Sequence, residues 1–312
     1  MSKYIILTDV TCDMSKELRD FFGIEDYIRG HVHFSDGRDF VTSLDWENIS
    51  RDEFYKALSN KKMEISTAPA SPEEYYEKFK EYAEQGYDIL SMSISSKISS
   101  TYNVAVGAAQ RIKNEFSDIN IHCVDTRRMS GSMAVIVAYA HALKNEGKSM
   151  EEVIDWIENN KNRVHQMGPI DDLMFIARRG RISTGKAIMG SFAGVKPMGD
   201  CNSDGYVSVL TKAKGIKKAF NLTVEYIKLT AVDIENQYII VSHSNREEYA
   251  NTLKDMLEKE LKPKKVFVSD VFSGCGPNIG PGMIGVYYLG DKVSENNEKE
   301  KELMNRAIEN CR

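Results

Sequence analysis

The chain has 312 residues, of which 42% are hydrophobic and 28% are charged, and its formal net charge is -5. This length exceeds the usual size of one hydrophobic core and predicts two domains, while the composition is that of an ordinary folded protein. The weak negative charge provides no field that would attract phosphate backbones, which argues against a protein that coats nucleic acid.

No segment of the sequence predicts secretion or a membrane span. The first apolar run, Tyr4 to Leu7, is too short for the core of a signal peptide, and the longest apolar helical segment, Met133 to Leu143, falls short of the roughly 18 residues that a spanning helix needs. The five cysteines are scattered without a Cys-x-x-Cys pair, which indicates reduced thiols and no zinc knuckle. We expect a cytoplasmic protein without a metal, whose contact with membranes is limited to transient contact at the surface.

Short apolar runs alternate with segments of helical periodicity, which is typical of strands and helices that build a parallel sheet. In the N-terminal half the pattern predicts strands at Tyr4 to Thr8, Ile89 to Ile94 and Ile121 to Asp125. Helices are predicted at Ser15 to Phe22, Ser71 to Gln85, Ser99 to Phe116 and Ser130 to Glu146. These elements predict an open parallel sheet with helices on both faces, in a domain of residues 1–149.

A second set of elements begins near Met150. In chain order it predicts a helix at Met150 to Arg163, a strand at Tyr206 to Leu210, a helix at Ala213 to Ile227, a strand at Gln237 to Ser242, a helix at Glu247 to Leu261, a strand at Lys265 to Asp270 and a helical tail at Glu295 to Arg312. The expected fold class is therefore α/β, with a second α/β domain of residues 150–312 that holds a mixed sheet with helices.

Three segments rich in Ser and Thr follow predicted strands, at the sheet edge where ligands of open α/β sheets usually bind. They include the candidate site residues Ser95, Ser96, Ser99, Thr101, Ser130 and Gly131. Ser99 and Ser130 also stand where helices are predicted to begin, so either can equally serve as a helix cap. Capping does not account for the five hydroxyls within Ser95 to Thr101. Hydroxyls beside the free N–H groups of a helix N-terminus favour an anion such as a carboxylate.

A further hydroxyl cluster, Ser66 to Ser71, precedes the helix that is predicted to begin near Pro72. If Ser71 caps that helix, Thr67 does not, and the hydroxyl of Thr67 is then free for a ligand. An ordinary loop threonine is an equal alternative for this position.

Taken in order, these segments resemble the motifs of the DegV family. The shared pattern comprises Asp-x-Thr-Cys-Asp after the first strand, Thr67 before a Pro-Glu-Glu helix, Ser-Ser-Lys-x-Ser-x-Thr-Tyr, Asp-Thr-x-x-x-Ser-Gly, Arg-x-Gly-Arg-Ile-Ser and a late Gly-Pro-Gly. The resemblance spans essentially the whole chain. It implies an EDD fold of two α/β domains with a long-chain fatty acid, such as palmitate, stearate or oleate, bound between them. It also implies a non-catalytic carrier that serves a separate ATP-dependent fatty acid kinase in lipid metabolism.

Within this resemblance, Thr67 and Ser99 match the residues that bind the carboxylate. The expected neighbours of the site are Ser95, Ser96, Thr101, Ser130, Gly131, Arg178, Arg181 and Asn278. The arginines surround Gly180 and are equally typical of a solvated turn. The apolar slot is expected to draw on residues that are equally good core residues, namely Ile188, Met189, Phe192, Ala193 and Met283.

The sequence departs from the family pattern most clearly at Asn278. It opens the segment Asn-Ile-Gly-Pro-Gly, where the family has His-Thr-Gly-Pro-Gly. An amide can hydrogen-bond a carboxylate, but unlike an imidazole it cannot titrate or carry charge. The departure therefore bears on phosphoryl transfer by a partner kinase more than on carboxylate binding.

Other classes of function remain as alternatives. A hydrolase with a nucleophile in Ser95 to Ser99 would lack both a Gly-x-Ser-x-Gly motif and an assignable Ser-His-acid set. A phosphatase with Asp9 as nucleophile would have Thr11, rather than a second acid, two residues further on. His31 and His33 would share one face of a strand, a weak metal signal that is more typical of a half-exposed pair. A protein that serves only to bind other proteins is a further alternative.

Overall fold

The structure is a computed structural model that describes residues 3–182 and 194–312. Its strands are β1 (Tyr4–Asp9), β2 (Tyr27–Ile28), β3 (His31–Phe34), β4 (Asp39–Val41), β5 (Ile65–Ala68), β6 (Asp88–Ser93), β7 (Ile121–Asp125), β8 (Val164–Met167), β9 (Val195–Cys201), β10 (Val207–Lys214), β11 (Tyr238–His243), β12 (Lys265–Asp270) and β13 (Ile284–Leu289). Its helices are α1 (Lys16–Phe22), α2 (Arg51–Ser59), α3 (Pro72–Ala83), α4 (Thr101–Glu115), α5 (Ser130–Asn145), α6 (Met150–Asn160), α7 (Leu173–Arg178), α8 (Ile216–Thr230), α9 (Glu247–Leu261), α10 (Gly276–Ile279) and α11 (Glu298–Asn310). The predicted α/β class is confirmed.

The N-terminal half is built on a parallel sheet with the strand order β2-β1-β6-β7. Helices α3 and α4 pack on the face that carries Leu7 and Ile89, whereas α1 and α5 pack on the face that carries Ile6 and Leu90. Because the central strands are buried on both faces, they appear in the sequence as continuous apolar runs. The predicted open parallel sheet with helices on both faces is confirmed.

A second, antiparallel sheet with the order β4-β3-β5 lies between β2 and α3 along the chain. Its Val32 and Phe34 pack against Phe54 and Tyr55 of α2 in a separate apolar cluster. The strands have only three or four residues, which is too short for a period to be recognised, so the sequence did not predict them. This sheet matters for the site because β5 carries Thr67.

The C-terminal half holds a mixed sheet with the order β12-β11-β13-β8. Strands β11 and β12 are parallel, and β13 is antiparallel to both of its neighbours, so the predicted mixed sheet is confirmed. Strands β9 and β10 form a separate hairpin whose pairing continues to Lys214 opposite Val195. Because β10 is longer than predicted, α8 begins at Ile216 instead of Ala213, after Gly215 with a φ of 81°.

Helix α5 connects the two halves, and it is buried on nearly every side, as expected for a helix that is apolar all round. It contacts β11 and β13 of the mixed sheet as well as β1. The halves also bond directly, because Asp13 Oδ1 accepts a hydrogen bond from Phe272 N at 2.9 Å. Burial raises the pKa of Asp13 to about 7. The domain boundary after residue 149 remains a prediction, since α5 precedes it and packs on both halves.

The five cysteines are unpaired thiols in the structure. Burial raises the pKa of the Cys201 thiol to about 11, so this thiol stays protonated near neutral pH. Within residues 3–182 and 194–312, no helix combines the length and the apolar character that crossing a bilayer requires.

Candidate functional site

A cavity of about 290 Å³ lies where the two halves of the molecule meet. Its N-terminal wall is formed by β5 and by the segments that follow β1 and β6, and its C-terminal wall by β8, α10 and β13. The cavity thus lies at the carboxyl edge of the parallel sheet, where open α/β sheets usually bind their ligands. Its volume is close to the lower bound of about 300 Å³ for small-molecule sites.

The Ser and Thr hydroxyls that line the cavity all come from the N-terminal half, whereas its apolar side chains come from both halves. The N-terminal half contributes aliphatic hydroxyl groups, those of Thr11, Thr42, Thr67, Ser99, Ser100, Thr101 and Ser130. The apolar lining side chains include Val10, Ile28, Ile94, Ile98 and Met129 of the N-terminal half and Met167, Ile170, Ile176, Val207, Ile279, Met283 and Ile284 of the C-terminal half. Such a cavity suits an amphiphilic ligand, whose head can be hydrogen-bonded while its apolar tail is removed from water.

Thr67 and Asn278 lie in contact across the cavity. Thr67 is on β5, opposite Val32 of β3, and Asn278 lies in the short helix α10 of the other half. Asn278 Nδ2 donates a hydrogen bond to Thr67 Oγ1 at 3.0 Å. A hydroxyl has one donor and two acceptor sites, so this contact leaves the proton of Thr67 available for a ligand. As predicted, Ser71 is the residue that caps α3, since its hydroxyl accepts from Glu74 N.

Ser99 and Thr101 form a second pair of hydroxyls in the wall. Ser99 Oγ and Thr101 Oγ1 are 2.7 Å apart, and Ser99 Oγ also accepts a weaker bond from Thr101 N at 3.3 Å. Helix α4 begins at Thr101, two residues later than predicted, and its N-cap Ser100 makes no capping bond through its side chain. Ser99 is thus not the N-cap residue, although its hydroxyl accepts a hydrogen bond from the first N–H of the helix. The side chain of Ser99 remains in the cavity wall.

Ser130 and Gly131 begin helix α5, and only Ser130 lines the cavity. The interpretation of Ser130 as a helix cap is wrong, because the N-cap residue is Met129. The backbone N–H of Met129 donates to Ser132 Oγ at 3.1 Å. The Ser130 hydroxyl is buried and makes no hydrogen bond to any residue that the structure describes. Gly131 packs so closely under Tyr287 that an added Cβ would lie 2.2 Å from the ring.

Three further predicted neighbours do not line the cavity, because their polar groups are used elsewhere. Ser96 Oγ donates to Asp125 Oδ2 at 2.6 Å, and Ser95 Oγ accepts from the backbone N of Lys97 at 3.3 Å. The side chain of Arg178 is 70% exposed, which agrees with the alternative interpretation of the arginines as part of a solvated turn. Ser95 and Ser96 thus support the loop that carries Ser99, whereas Arg178 bonds the carbonyl of Met174 in its own helix.

Charged groups also line the cavity. Arg29, His31 and Arg181 are cationic or able to become so, and the sequence had singled out only Arg181 for this site. Asp9 is the buried acid of the wall, and burial raises its pKa. One of its carboxylate oxygens accepts from Thr11 N and the other from Ile94 N, both at 2.9 Å, so Asp9 is engaged as a structural acceptor.

His31 and His33 do share one face of β3, with ring centroids 6.3 Å apart. Each bonds a carboxylate from a different element, His31 with Glu74 at 2.9 Å and His33 with Asp39 at 2.8 Å. Their side chains are 30% and 46% exposed. In the part of the chain that the structure describes, no group of three or more potential ligands could hold a metal ion. His31 and His33 are therefore the half-exposed pair that the sequence analysis gave as the more typical interpretation.

Of the apolar residues expected in the slot, Met283 lines the cavity. The others, Ile188, Met189, Phe192 and Ala193, lie outside the described residues. Arg29 and Thr42 line the cavity without having been singled out, because the short strands on either side of them gave no signal in the sequence.

Comparisons with known proteins agree with this architecture. The family model described as an uncharacterised protein of the DegV family matches residues 3–291. A DegV domain-containing protein of Clostridium perfringens is 32% identical over 93% of this chain and 99% of its own length. Among solved structures, a fatty-acid-binding DegV family protein of Thermus thermophilus is 25% identical, with a TM-score of 0.82 over 93% of this chain and 100% of its own.

A more distant structure, the fatty acid kinase B3 protein of Streptococcus pneumoniae loaded with linoleic acid, is 18% identical and has a TM-score of 0.77. It covers 93% of this chain and 100% of its own, and at this identity it supports the fold. The family model and the Clostridium relative, which both span most of the sequence, carry the assignment. The chain belongs to the DegV family.

Proposed function

We propose that the protein binds one long-chain fatty acid in the cavity, with its carboxylate on the hydroxyls of Thr67 and Ser99 and its tail against the apolar side chains of the lining. The observation that carries this proposal is the cluster of Ser and Thr hydroxyls, all from the N-terminal half, in a cavity that apolar side chains of both halves also line. Membership of the DegV family and the fatty-acid-binding relative of Thermus thermophilus support the same ligand class.

The tail and the head of such a ligand contribute differently to binding. Burial of an acyl chain at about 0.8 kcal/mol per methylene offers roughly 10 kcal/mol for a long chain, before the costs of ordering and association. A hydrogen bond to a charged head contributes about 1.5 to 3 kcal/mol. The tail therefore supplies most of the affinity, and the hydroxyls fix the direction of the ligand and select a carboxylate.

The contacts within the wall favour a carboxylate as the head group. Because Asn278 donates to the Thr67 oxygen, the Thr67 hydroxyl can direct its proton to an acceptor in the cavity. Ser99 and Thr101 share a bond in which only one of the two hydroxyls needs to donate, so the other can also bond the ligand. Arg181 in the wall adds a favourable potential for an anion, whereas Arg29 is paired with Glu47 at 2.9 Å.

We further propose that the protein has no catalytic cycle of its own and acts in the cytoplasm as a carrier for a separate ATP-dependent fatty acid kinase. This role rests on the motif resemblance. The amide of Asn278 cannot exchange a proton near the ligand as an imidazole would. If the proposal holds, acyl phosphate should form from the bound fatty acid when the organism's own kinase and ATP are added, and Asn278→His should raise the rate. No acyl phosphate with either protein would exclude this role.

Native mass spectrometry of the purified protein tests the ligand directly. One acyl chain per molecule should co-purify or exchange with added palmitate, and organic extraction should release a free fatty acid. A protein that neither carries nor takes up an acyl chain, and instead turns over a simple ester, would overturn the proposal in favour of a hydrolase.

A further inference from the structure

The cavity wall carries polar side chains in a part that the proposed head-group site does not use. Ser130 begins α5, and Tyr287 and Gln166 lie on β13 and β8 of the mixed sheet. All three residues line the cavity. Each has an uncharged polar group that can both donate and accept hydrogen bonds.

These three side chains lie next to one another. Tyr287 and Gln166 are directly opposite in the antiparallel pairing of β13 and β8, so their side chains point to the same face of the sheet. Gly131, the residue after Ser130, packs against the ring of Tyr287. The Tyr287 hydroxyl lies beside Gly285 of the lining, where an added Cβ would be 2.6 Å from the hydroxyl oxygen. We call Ser130, Tyr287 and Gln166 the second polar site.

The hydroxyl of Ser130 is the observation that points to a ligand. Ser130 is 1% exposed, and its Oγ makes no hydrogen bond to any residue that the structure describes. Buried polar atoms almost always have a partner, because an unsatisfied one has lost its bonds to water without replacement. Ser130 also has a φ of 49°, a left-handed conformation that residues other than glycine rarely adopt. The fold thus holds an unpaired hydroxyl in the cavity wall at some cost in backbone strain.

The groups around Ser130 leave this hydroxyl unsatisfied. Ser242 Oγ, which lies beside Gly131, and Asp13 Oδ2 are also buried without a partner among the described residues. Burial raises the pKa of Tyr287, and the nearby hydroxyl of Ser130 offsets only part of this rise, so Tyr287 stays a phenol that can donate. Even a bond between the hydroxyls of Ser130 and Tyr287 would use only one of their two protons.

The second polar site and the head-group hydroxyls lie on opposite sides of the parallel sheet. Ser99 and Thr101 are at the start of α4, which packs on one face of the sheet together with α3. Ser130 is at the start of α5, which packs on the other face. Packed layers of secondary structure lie about 10 Å apart. A ligand whose carboxylate is bound at Ser99 therefore brings its chain, and not its head, to Ser130.

We propose that the ligand is a long-chain fatty acid with a hydroxyl group in the middle of its chain, and that the second polar site binds this hydroxyl. The inference rests on the proposed fatty-acid binding and narrows its ligand class. A hydroxyl both donates and accepts, as do the three groups around it, whereas a second carboxylate only accepts and would find no positive charge on them. An unmodified chain would bury the Ser130 hydroxyl against methylene groups, which costs free energy.

The test compares the affinities of stearate, 10-hydroxystearate, 12-hydroxystearate and 2-hydroxystearate at concentrations below aggregation. For at least one mid-chain hydroxy acid, the affinity relative to stearate should fall by about two- to twelvefold in Ser130→Ala, Tyr287→Phe and Gln166→Met, the range expected for one neutral hydrogen bond. The relative affinity of 2-hydroxystearate, whose hydroxyl adjoins the carboxylate, should not change. The hydration of each ligand is the same for every protein and cancels in these comparisons.

Two control variants separate the second polar site from the head-group site and from the stability of α5. Thr67→Val should weaken the binding of all four acids by the same factor and leave their relative affinities unchanged. Ser132 is the hydrogen-bonded counterpart of Ser130, because Ser132 Oγ accepts from Met129 N at 3.1 Å. Ser132→Ala should lower the midpoint of urea unfolding of the ligand-free protein, whereas Ser130→Ala, which removes an unpaired hydroxyl, should not.

The outcomes distinguish this inference from the function on which it rests. If stearate binds but none of the three variants changes the relative affinity of a mid-chain hydroxy acid, the second polar site is refuted and fatty-acid binding stands. An equal change for 2-hydroxystearate, or a loss of stability in Ser130→Ala that matches Ser132→Ala, would refute it as well. If the wild-type protein binds none of the four acids, both proposals fail.

Discussion

Thr67→Val is the substitution that tests the head-group assignment most directly. Valine has nearly the same shape as threonine and the same preference for strands, so β5 and its pairing with Val32 should be retained. The substitution removes the hydroxyl that accepts from Asn278 Nδ2 at 3.0 Å. Both side chains are only half-buried, so water can satisfy the amide of Asn278 afterwards.

The expected loss follows from the strength of one hydrogen bond to a charged group. At about 1.5 to 3 kcal/mol, the loss of the Thr67 bond should weaken palmitate binding by about 10- to 150-fold. For 1-hexadecanol, whose head is neutral, a bond of about 0.5 to 1.5 kcal/mol predicts a loss of only about two- to twelvefold. The ratio of the two losses therefore reports on the carboxylate itself.

Displacement of a fluorescent fatty acid, with thermal unfolding as a check on the fold, measures both affinities. Ser66→Ala is the matched control, because Ser66 is the exposed neighbour on the same strand and does not line the cavity. Thr67→Ala combined with Ser99→Ala should weaken palmitate binding further while the fold stays intact. A folded Thr67→Val protein that binds palmitate as tightly as the wild type would refute the head-group assignment.

The remaining predictions concern stability and tail length. Burial lowers the pKa of His165, but the attraction of Asp200 at 2.6 Å outweighs burial, and the pKa is raised in the folded protein. The His165–Asp200 pair therefore stabilises the fold fully below the unfolded pKa of about 6.5, and this contribution to the free energy of unfolding is lost as the pH rises through the folded pKa. His165→Gln should thus lower the free energy of unfolding in urea more at pH 6 than at pH 9. Gly131→Ala should destabilise the protein by about 1 to 3 kcal/mol, whereas Gly107→Ala, which has open space, should not. Met283→Trp should favour shorter acids, by about fourfold in affinity for each methylene displaced.

Each of these predictions has an outcome that contradicts it. An equal loss of stability at pH 6 and pH 9 would show that the charge of His165 does not matter. If Gly131→Ala unfolds at the same urea concentration as Gly107→Ala, the close packing beside α5 is not as described. An unchanged preference between myristate and stearate in Met283→Trp would remove Met283 from the wall that contacts the tail.

The predicted elements show where a sequence pattern is sufficient. Strands β1 and β6 are buried on both faces, and the edge strand β7 is buried at Ile121 and Val124, so their apolar runs identified all three within one residue. Strands β3, β4 and β5 have three or four residues and draw their stability from contacts with α2. The strands β8 and β13 also escaped notice, because they pair with strands that are distant in the sequence. Strand β9 forms a hairpin with the next strand, β10, but Pro197 and Gly199 interrupt its apolar pattern.

The site residues divide in a similar way. Thr67 and Ser99 were proposed from motifs, and the cavity brings their hydroxyls together with those of Thr101 and Ser130. Ser96 was an expected neighbour of the site in the same segment, but its hydroxyl is bonded to Asp125. A hydroxyl-rich segment indicates that some of its side chains face a ligand, and only the direction of each side chain decides which ones do.

By itself the sequence determined the α/β class, the parallel and mixed sheets and the family, because these follow from local periodicity and from ordered motifs along the chain. The tertiary structure alone decided that Asn278 bonds Thr67, that His31 joins the cavity wall and that α5 is shared by both halves. Such contacts join residues that are far apart in sequence, and the packing of the two halves against each other, which no local pattern encodes, brings them within bonding distance.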